Sequence, residues 1–310
     1  MTATQNWDIS ALQGSAARKR REGVVKWVAF SAAAVSILIS VLIVYSLVFE
    51  AITFMGQVDW STTINDLGWF PRRNLFDFPT IIVATLWVTA IAMIVAGPLG
   101  LAAAIYLAEY ARPGVRRWLK PILEILAGIP SVVLGYFALR FIAPQIVANV
   151  FPSAAPANIL AAGIGVGLLT IPLVASISED ALAAVPRSLR EASSGLGARR
   201  MTTTVRVVLP AALSGLTAAF IVAISRAIGE TMVVFIAGGA ADAAIRTFNP
   251  LDPGLTMTAA MASVASGTDN VAGQGPTFQS LFFVGLLLFI MTLSLNLLAD
   301  RFVRRFRQEY

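Results

Sequence analysis

The sequence predicts an all-α polytopic membrane protein with six transmembrane helices. Three observations lead there. The 310 residues are 57% hydrophobic and only 13% charged. Several apolar runs reach the about 20 residues a helix needs to cross a hydrocarbon core about 30 Å thick. The basic residues gather at the ends of these runs rather than in a surface stripe. Such runs are helices, because lipid offers no partner to an unpaired backbone group.

Taken in order, the spans are expected at 24–49, 80–108, 121–143, 157–179, 211–238 and 279–300. A polar tail, 1–23, precedes the first and closes on Arg18, Lys19, Arg20 and Arg21. The apolar run after it exceeds the about 7–15 residues of a signal-peptide core, so it reads as a retained span. Residues 24–79 thus hold the first span and an outer loop carrying Trp60, Trp69, Phe70, Pro71 and Pro79, with aromatic residues suited to the membrane interface. The third span is interrupted by Gly128, Pro130 and Gly135. A core at 80–300 contains a polar loop at 180–210, and 301–310 form a basic tail. The outer segment 239–278, ending in GTDNVAGQGP, has little obvious structure. It reads either as a connector or as a cover for the outer mouth that meets an extracytoplasmic partner.

An even number of spans puts both termini on one side. Eighteen of the 23 lysines and arginines then fall in segments on that side, including Arg112, Arg116, Arg117, Lys120, Arg187, Arg190 and Arg199. Arg72, Arg73 and Arg246 fall on the other. The positive-inside rule therefore makes both termini cytoplasmic. A net charge of +6 distributed in this way follows membrane topology and does not point to nucleic acid. The chain has no Cys and no His, which removes disulfides, thiolate metal sites and the commonest general base. An active site and a bound metal are not expected.

The polar interruption from Glu191 to Gly215, EASSGLGARRMTTTVRVVLPAALSG, is the most informative stretch. Ser188 to Ala192 form a helical run, and small Ala192, Ser193 and Ser194 allow close approach to a groove. Gly195 and Gly197 supply a turn, since glycine adopts positive φ without steric cost. Leu209-Pro210 restarts a helix, proline being tolerated in a first turn.

Arg226 and Glu230 stand in the middle of the fifth apolar run, four residues apart and on one face of a continuous helix. Charges at that depth cost roughly 2.5–3.5 kcal/mol on insertion scales and face protein or water. The guanidinium suits oxyanion oxygens. The carboxylate beside it only accepts hydrogen bonds. A protonated oxyanion such as phosphate satisfies both, whereas fully ionised sulfate meets repulsion. Ser225 and Thr231 flank the pair, and Gly229 permits close approach. The other reading is an ion pair that locks the span to its neighbours. The break Gly128-Ile129-Pro130-Ser131 offers a half-helix N-terminus with Ser131 as a donor, or else a packing kink with Ser131 bonded to its own helix. Glu124 stands within pairing reach of Arg116, Arg117 or Lys120.

The loop resembles the EAA loop of ATP-binding-cassette (ABC) import permeases: Glu-Ala-Ala, three residues, Gly, nine residues, then Ile-x-Leu-Pro. Glu191, Ala192, Gly197, Leu209 and Pro210 match that pattern, while Ser193 replaces the second Ala and Val207 the Ile. Together with Glu124 to Gly128, Ile129 to Val133, Ser225 to Met232 and the closing stretch Leu281 to Arg305 with Asn296, the chain resembles the phosphate-specific ABC transporter permeases of the PstC type. The resemblance covers roughly 80–305. The sister subunit tends to carry Ala-Pro after Gly-Glu-Thr, where this chain has Met232-Val233.

The resemblance implies the ABC type I importer permease fold and half of a phosphate pathway through the inner membrane. Its partners would be a second related permease, two cytoplasmic ATPase subunits and an extracytoplasmic phosphate-binding protein. It implies ATPase coupling through Glu191, Ala192, Gly197, Leu209 and Pro210, with movement passed to spans four and five. It also gives Arg226 and Glu230 a role in phosphate passage, with Ser131, Ser225 and Thr231 as pathway residues. No Gly-x-x-x-x-Gly-Lys-Ser/Thr loop is present, so ATP and Mg would be used by the partner ATPase. A permease for another oxyanion, molybdate or sulfate, and an ion-coupled secondary transporter are the alternatives.

Overall fold

The computed structural model describes residues 16–60, 63, 68–239, 245–266 and 275–306, with backbone alone at 16–19 and 302–306. The polar tail 1–15, most of the GTDNVAGQGP stretch and the last four residues lie outside the described residues. The side chains of Arg18, Lys19, Arg304, Arg305 and Arg307 do too. Contacts divide the chain into two units, Met1–Glu50 and Ala51–Tyr310.

The first unit holds most of a long helix, α1 (Ala16–Gln57), which extends the expected span at both ends. Its apolar side chains from Val24 to Tyr45 are exposed, as suits a helix that meets lipid.

The second unit continues with a short hairpin, β1 (Trp69–Phe70) and β2 (Leu75–Phe76), paired antiparallel with Trp69 opposite Phe76. Asn74 closes the turn with φ 55°. Then come α2 (Phe78–Tyr110, whose last five residues form a π turn), α3 (Pro113–Ala127), α4 (Ser131–Val150) and α5 (Ile159–Ala183). After them follow α6 (Arg187–Gly195), α7 (Arg200–Ala211), α8 (Leu213–Ile228), α9 (Met232–Ala237), α10 (Met257–Ala265) and α11 (Gly275–Phe306). Among the described residues, five helices are long and apolar enough to cross a membrane, or six if the bent pair α7–α8 is one span.

The core is the seam between α2 and α5. A Cβ added at Gly163 would lie 2.7 Å from Ile91, at Gly167 2.8 Å from Val95, and at Gly100 2.7 Å from Val174. Glycines at the seam let the two backbones approach until dispersion contacts hold them, the usual basis of helix association in lipid. Around it, Val88, Ala92, Val166, Val233, Val234 and Met257 are buried in one cluster. Asn158 starts α5 by accepting the Ala161 N–H at 2.8 Å.

The structure alters four expectations. The third span begins at Ser131 rather than 121, because α3 is a separate helix. Arg116, Arg117, Lys120 and Glu124 alternate at helical spacing with exposed Val115, Trp118, Ile122 and Ile125, a pattern that lies in an interface instead of crossing it. Hydropathy alone merges the two helices, because it ignores side-chain direction.

The fifth span is broken. α8 ends at Ile228, and Gly229, Glu230 and Thr231 separate it from α9. At its other end α7 meets α8 at 71°, with the bend at Ala212.

The outer loop at 50–79 is partly α1 and partly a packed aromatic group. Trp69 is buried, and Phe54, Phe76, Phe78 and Phe283 surround one another at centroid separations of 4.7–6.1 Å. The described residues of 239–278 are not structureless either. They include α10, started by the Thr256 hydroxyl, and Arg246 holds buried Asp77 at 2.7 Å.

Candidate functional site

Residues 225–232 lie where four elements converge. Ser225, near the end of α8, donates its hydroxyl to Asn296 Oδ1 of α11 at 2.9 Å. The Glu230 carbonyl accepts from the Thr258 hydroxyl of α10 at 2.8 Å. Gly135 of α4 lies so close to the break that an added Cβ would be 3.0 Å from the Met232 carbonyl oxygen. Ser131 is one helical turn before Gly135, and its hydroxyl makes no hydrogen bond among the described residues, so it is not bonded back to its own helix.

The expected i,i+4 pair does not form. Arg226 is exposed in the last turn of α8, where a cation complements the helix dipole. Glu230 lies beyond the helix, and its Oε1 accepts the Val233 N–H at 3.3 Å, capping α9. Helical geometry ends at Ile228, so four residues of spacing no longer put the two on one face. Among the described residues Arg226 has no ion-pair partner. The lock that the alternative reading required is absent there, and the guanidinium keeps all its donors. Thr231 makes a local bond of 3.3 Å to the Gly229 carbonyl.

The polar loop folds as α6, a turn and α7. None of the residues of α6 is buried; Glu191 and Ala192 are exposed, and Leu196 beyond them is 90% exposed. Gly197 takes φ 78° in the turn, as glycine permits, whereas Gly195 stays helical and has no such role. The helix restarts at Arg200, ten residues earlier than expected, and Pro210 instead stands two residues before the bend at Ala212. Leu209 packs against the buried cluster of Ala104, Leu182, Val208 and Leu216, while Pro210 is exposed. Ser193 and Thr203 share a hydroxyl bond of 2.9 Å between α6 and α7.

Ionic contacts near the C-terminal ends of α2 and α5 join residues far apart in the sequence. Arg190 of α6 reaches Glu109 at the end of α2, Nη2 lying 2.8 Å from Oε1, and it also donates to the Leu182 and Val185 carbonyls where α5 ends. Glu179 of α5 is fully buried and takes both Arg116 and Lys120 of α3, and Lys120 also reaches Asp180 at 2.8 Å. Glu124, expected to pair with these cations, is exposed instead. The available signal in the sequence is a carboxylate at the end of an apolar run. It names no partner when the partner is about 60 to 80 residues away.

Among the described residues no group of three or more His, Cys, Asp or Glu can hold a metal ion.

Comparison with known proteins agrees with this architecture. The family model "Binding-protein-dependent transport system inner membrane component" matches residues 96–308. The Bacillus subtilis (strain 168) "Probable ABC transporter permease protein YqgH" is 33% identical over 241 residues, 78% of this chain and 74% of that protein. The Mesorhizobium japonicum "Phosphate transport system permease protein PstC" is 33% identical, across 73% of this chain and 72% of its own. Among solved structures, a bacterial ABC transporter for import of the acidic polysaccharide alginate overlays with a TM-score of 0.65 at 12% identity. It covers 94% of this chain and 100% of its own. The MetNI methionine ABC transporter gives 0.54 at 20% identity, with 74% and 94% covered. At those identities the structures establish the fold alone. The match across most of the chain, and relatives a third identical over the same region, make this protein a member of the family of binding-protein-dependent transport system inner membrane components, the permease subunits of ABC importers.

Proposed function

We propose that the chain is the membrane permease subunit of an ATP-driven phosphate importer and forms half of the translocation pathway. The observation that carries the reading is α6, a helix with no buried residue that leaves Glu191 and Ala192 exposed. Its match to the EAA loop supports docking of a cytoplasmic ATPase. Phosphate as the substrate is supported by relatives named as phosphate transport permeases and by Arg226, a guanidinium at a helix break with no ion-pair partner among the described residues. The permease is a transport subunit and not an enzyme. ATP and Mg belong to the partner ATPase.

In this reading the complex holds a second related permease, two ATPase subunits and an extracytoplasmic phosphate-binding protein, in the inner membrane with both termini cytoplasmic. The tail 1–23, the first span with its outer loop to 79, the core at 80–300 and the tail 301–310 are its parts. ATP binding closes the ATPase pair, and α6 carries the movement inward. The cavity opens outward, accepts phosphate and returns on hydrolysis, a switch between two states. Arg226 meets the incoming oxyanion, with Ser131, Ser225, Thr231 and Glu230 bordering its path. Leu209, Pro210 and Gly197 shape the lever.

Radiolabelled phosphate uptake, in cells lacking other routes, tests the reading. Arg226→Ala should abolish uptake while the complex still assembles, and Glu191→Ala should lose uptake together with ATPase association. Normal uptake by Arg226→Ala, or a wild-type chain that never associates with an ATPase, refutes it.

A further inference from the structure

Resting on the coupling role of α6 proposed above, we infer that Arg190 and Glu109 form the joint through which α6 moves the membrane helices, and that the stroke enters α2 and α5. The EAA pattern assigns no role to either residue.

The geometry distinguishes a stiff side of α6 from a compliant one. On the stiff side, Arg190 donates to Glu109 Oε1 from Nε at 3.2 Å and from Nη2 at 2.8 Å. The same guanidinium donates to the carbonyls of Val185 and Leu182, at 2.5 and 2.8 Å. Glu109 is 7% exposed, so these charge-assisted bonds are shielded from water. A planar guanidinium loses little freedom in forming several bonds at once. One side chain of α6 is thereby fastened to the last turn of α2 and to the carbonyls closing α5.

On the other side, α6 meets α7 through the Ser193–Thr203 hydroxyl pair, through Leu189 packed on the cluster that holds Val208, and through a turn whose hinge is Gly197 at φ 78°. Those contacts are neutral and their backbone link is the most permissive residue type. A load applied at Glu191 therefore moves α2 and α5 with α6, while the Gly197 turn takes up the change toward α7. The joint keeps span four, α5, as a receiver of the movement and adds span two, α2, to the route expected from the resemblance.

The test uses the whole complex, with its second permease, ATPase subunits and binding protein, in proteoliposomes. Import and ATP hydrolysis are measured together. Arg190→Ala and Glu109→Leu should leave the ATPase bound and hydrolysing, while phosphate moved per ATP falls about tenfold, within the range single residues on a coupling route produce. Glu109→Gln, which keeps an acceptor oxygen, should recover part of that ratio. A purely structural role would lower assembly, hydrolysis and import together with the ratio unchanged, and that result overturns the proposal.

A second readout does not depend on the substrate. The chain has no cysteine, so spin labels can be placed through Ser188→Cys on α6 and Tyr106→Cys on α2. Their separation should stay constant on ATP binding in the wild type and broaden in Arg190→Ala. A wild-type separation that changes on ATP binding overturns the joint. A wild-type complex that hydrolyses ATP yet moves no phosphate defeats the substrate reading, and the label distance still decides the joint.

Discussion

The Lys120 ammonium lies 2.6 Å from Oε2 of Glu179, a carboxylate with no solvent exposure, and so ties α3 to the C-terminal part of α5. Arg116 takes the other oxygen of the same carboxylate. Both cations are about a third or more exposed, which weakens the Coulombic gain but leaves the anion dependent on them. Removing one partner of a fully buried pair costs about 3–5 kcal/mol. With these cations reaching water, Glu179→Ala should cost less, roughly 1–3 kcal/mol. The expected outcome is a lower unfolding temperature of the detergent-solubilised protein. Asp180→Ala, at a mostly exposed carboxylate, should change it little.

The pH dependence of this contact follows from Lys120. Its pKa is raised above the ordinary 10.5, chiefly by the hydrogen bond to Asp180 and then by that to Glu179, against a lowering by desolvation. A cation held more tightly in the fold contributes stability that is complete below the unfolded value and lost as pH rises through the folded one. The difference in stability between wild type and Lys120→Met should therefore stay constant from about pH 6 to 9 and shrink only in strong alkali. Thermal melts across that range check it.

Gly167 and Gly163 should tolerate no side chain. A Cβ at 2.7–2.8 Å from Val95 or Ile91 forces the α2–α5 seam apart. Overpacking of this kind costs about 1–3 kcal/mol. Gly163→Ala and Gly167→Ala should reduce the yield of folded protein in the membrane, whereas Gly114→Ala, with open space around it, should not.

Gly197→Ala should strain the turn after α6. An alanine held at φ 78° costs about 1–2 kcal/mol relative to glycine. The turn would shift rather than the core, so folded yield should be near normal and association with the ATPase weaker. Co-purification of the two subunits measures both.

Glu230→Gln separates charge from capping. The amide keeps an oxygen for the Val233 N–H, so α9 and the fold should persist. Loss of the negative charge removes the repulsion that a fully ionised oxyanion meets, so sulfate should begin to compete with phosphate for uptake. Absence of competition would assign Glu230 to capping alone.

The sequence by itself determined the class, the number of apolar runs within one and the polar stretch between the fourth and fifth of them. Each of these is local: about 20 apolar residues make a span wherever they occur, and Glu191 to Pro210 carry their spacing with them. It also located Ser225 to Met232 as the unusual stretch of the fifth run. Only the tertiary structure decided that this run breaks at Gly229, that Glu230 caps α9 instead of facing Arg226, and that α3 is not part of a span. It also chose Glu179 for Lys120 and Glu109 for Arg190. Periodicity and hydropathy report what each residue is and how its near neighbours repeat. Which charges meet across 59 or 81 residues is set by how helices pack, and that information exists only once they are packed.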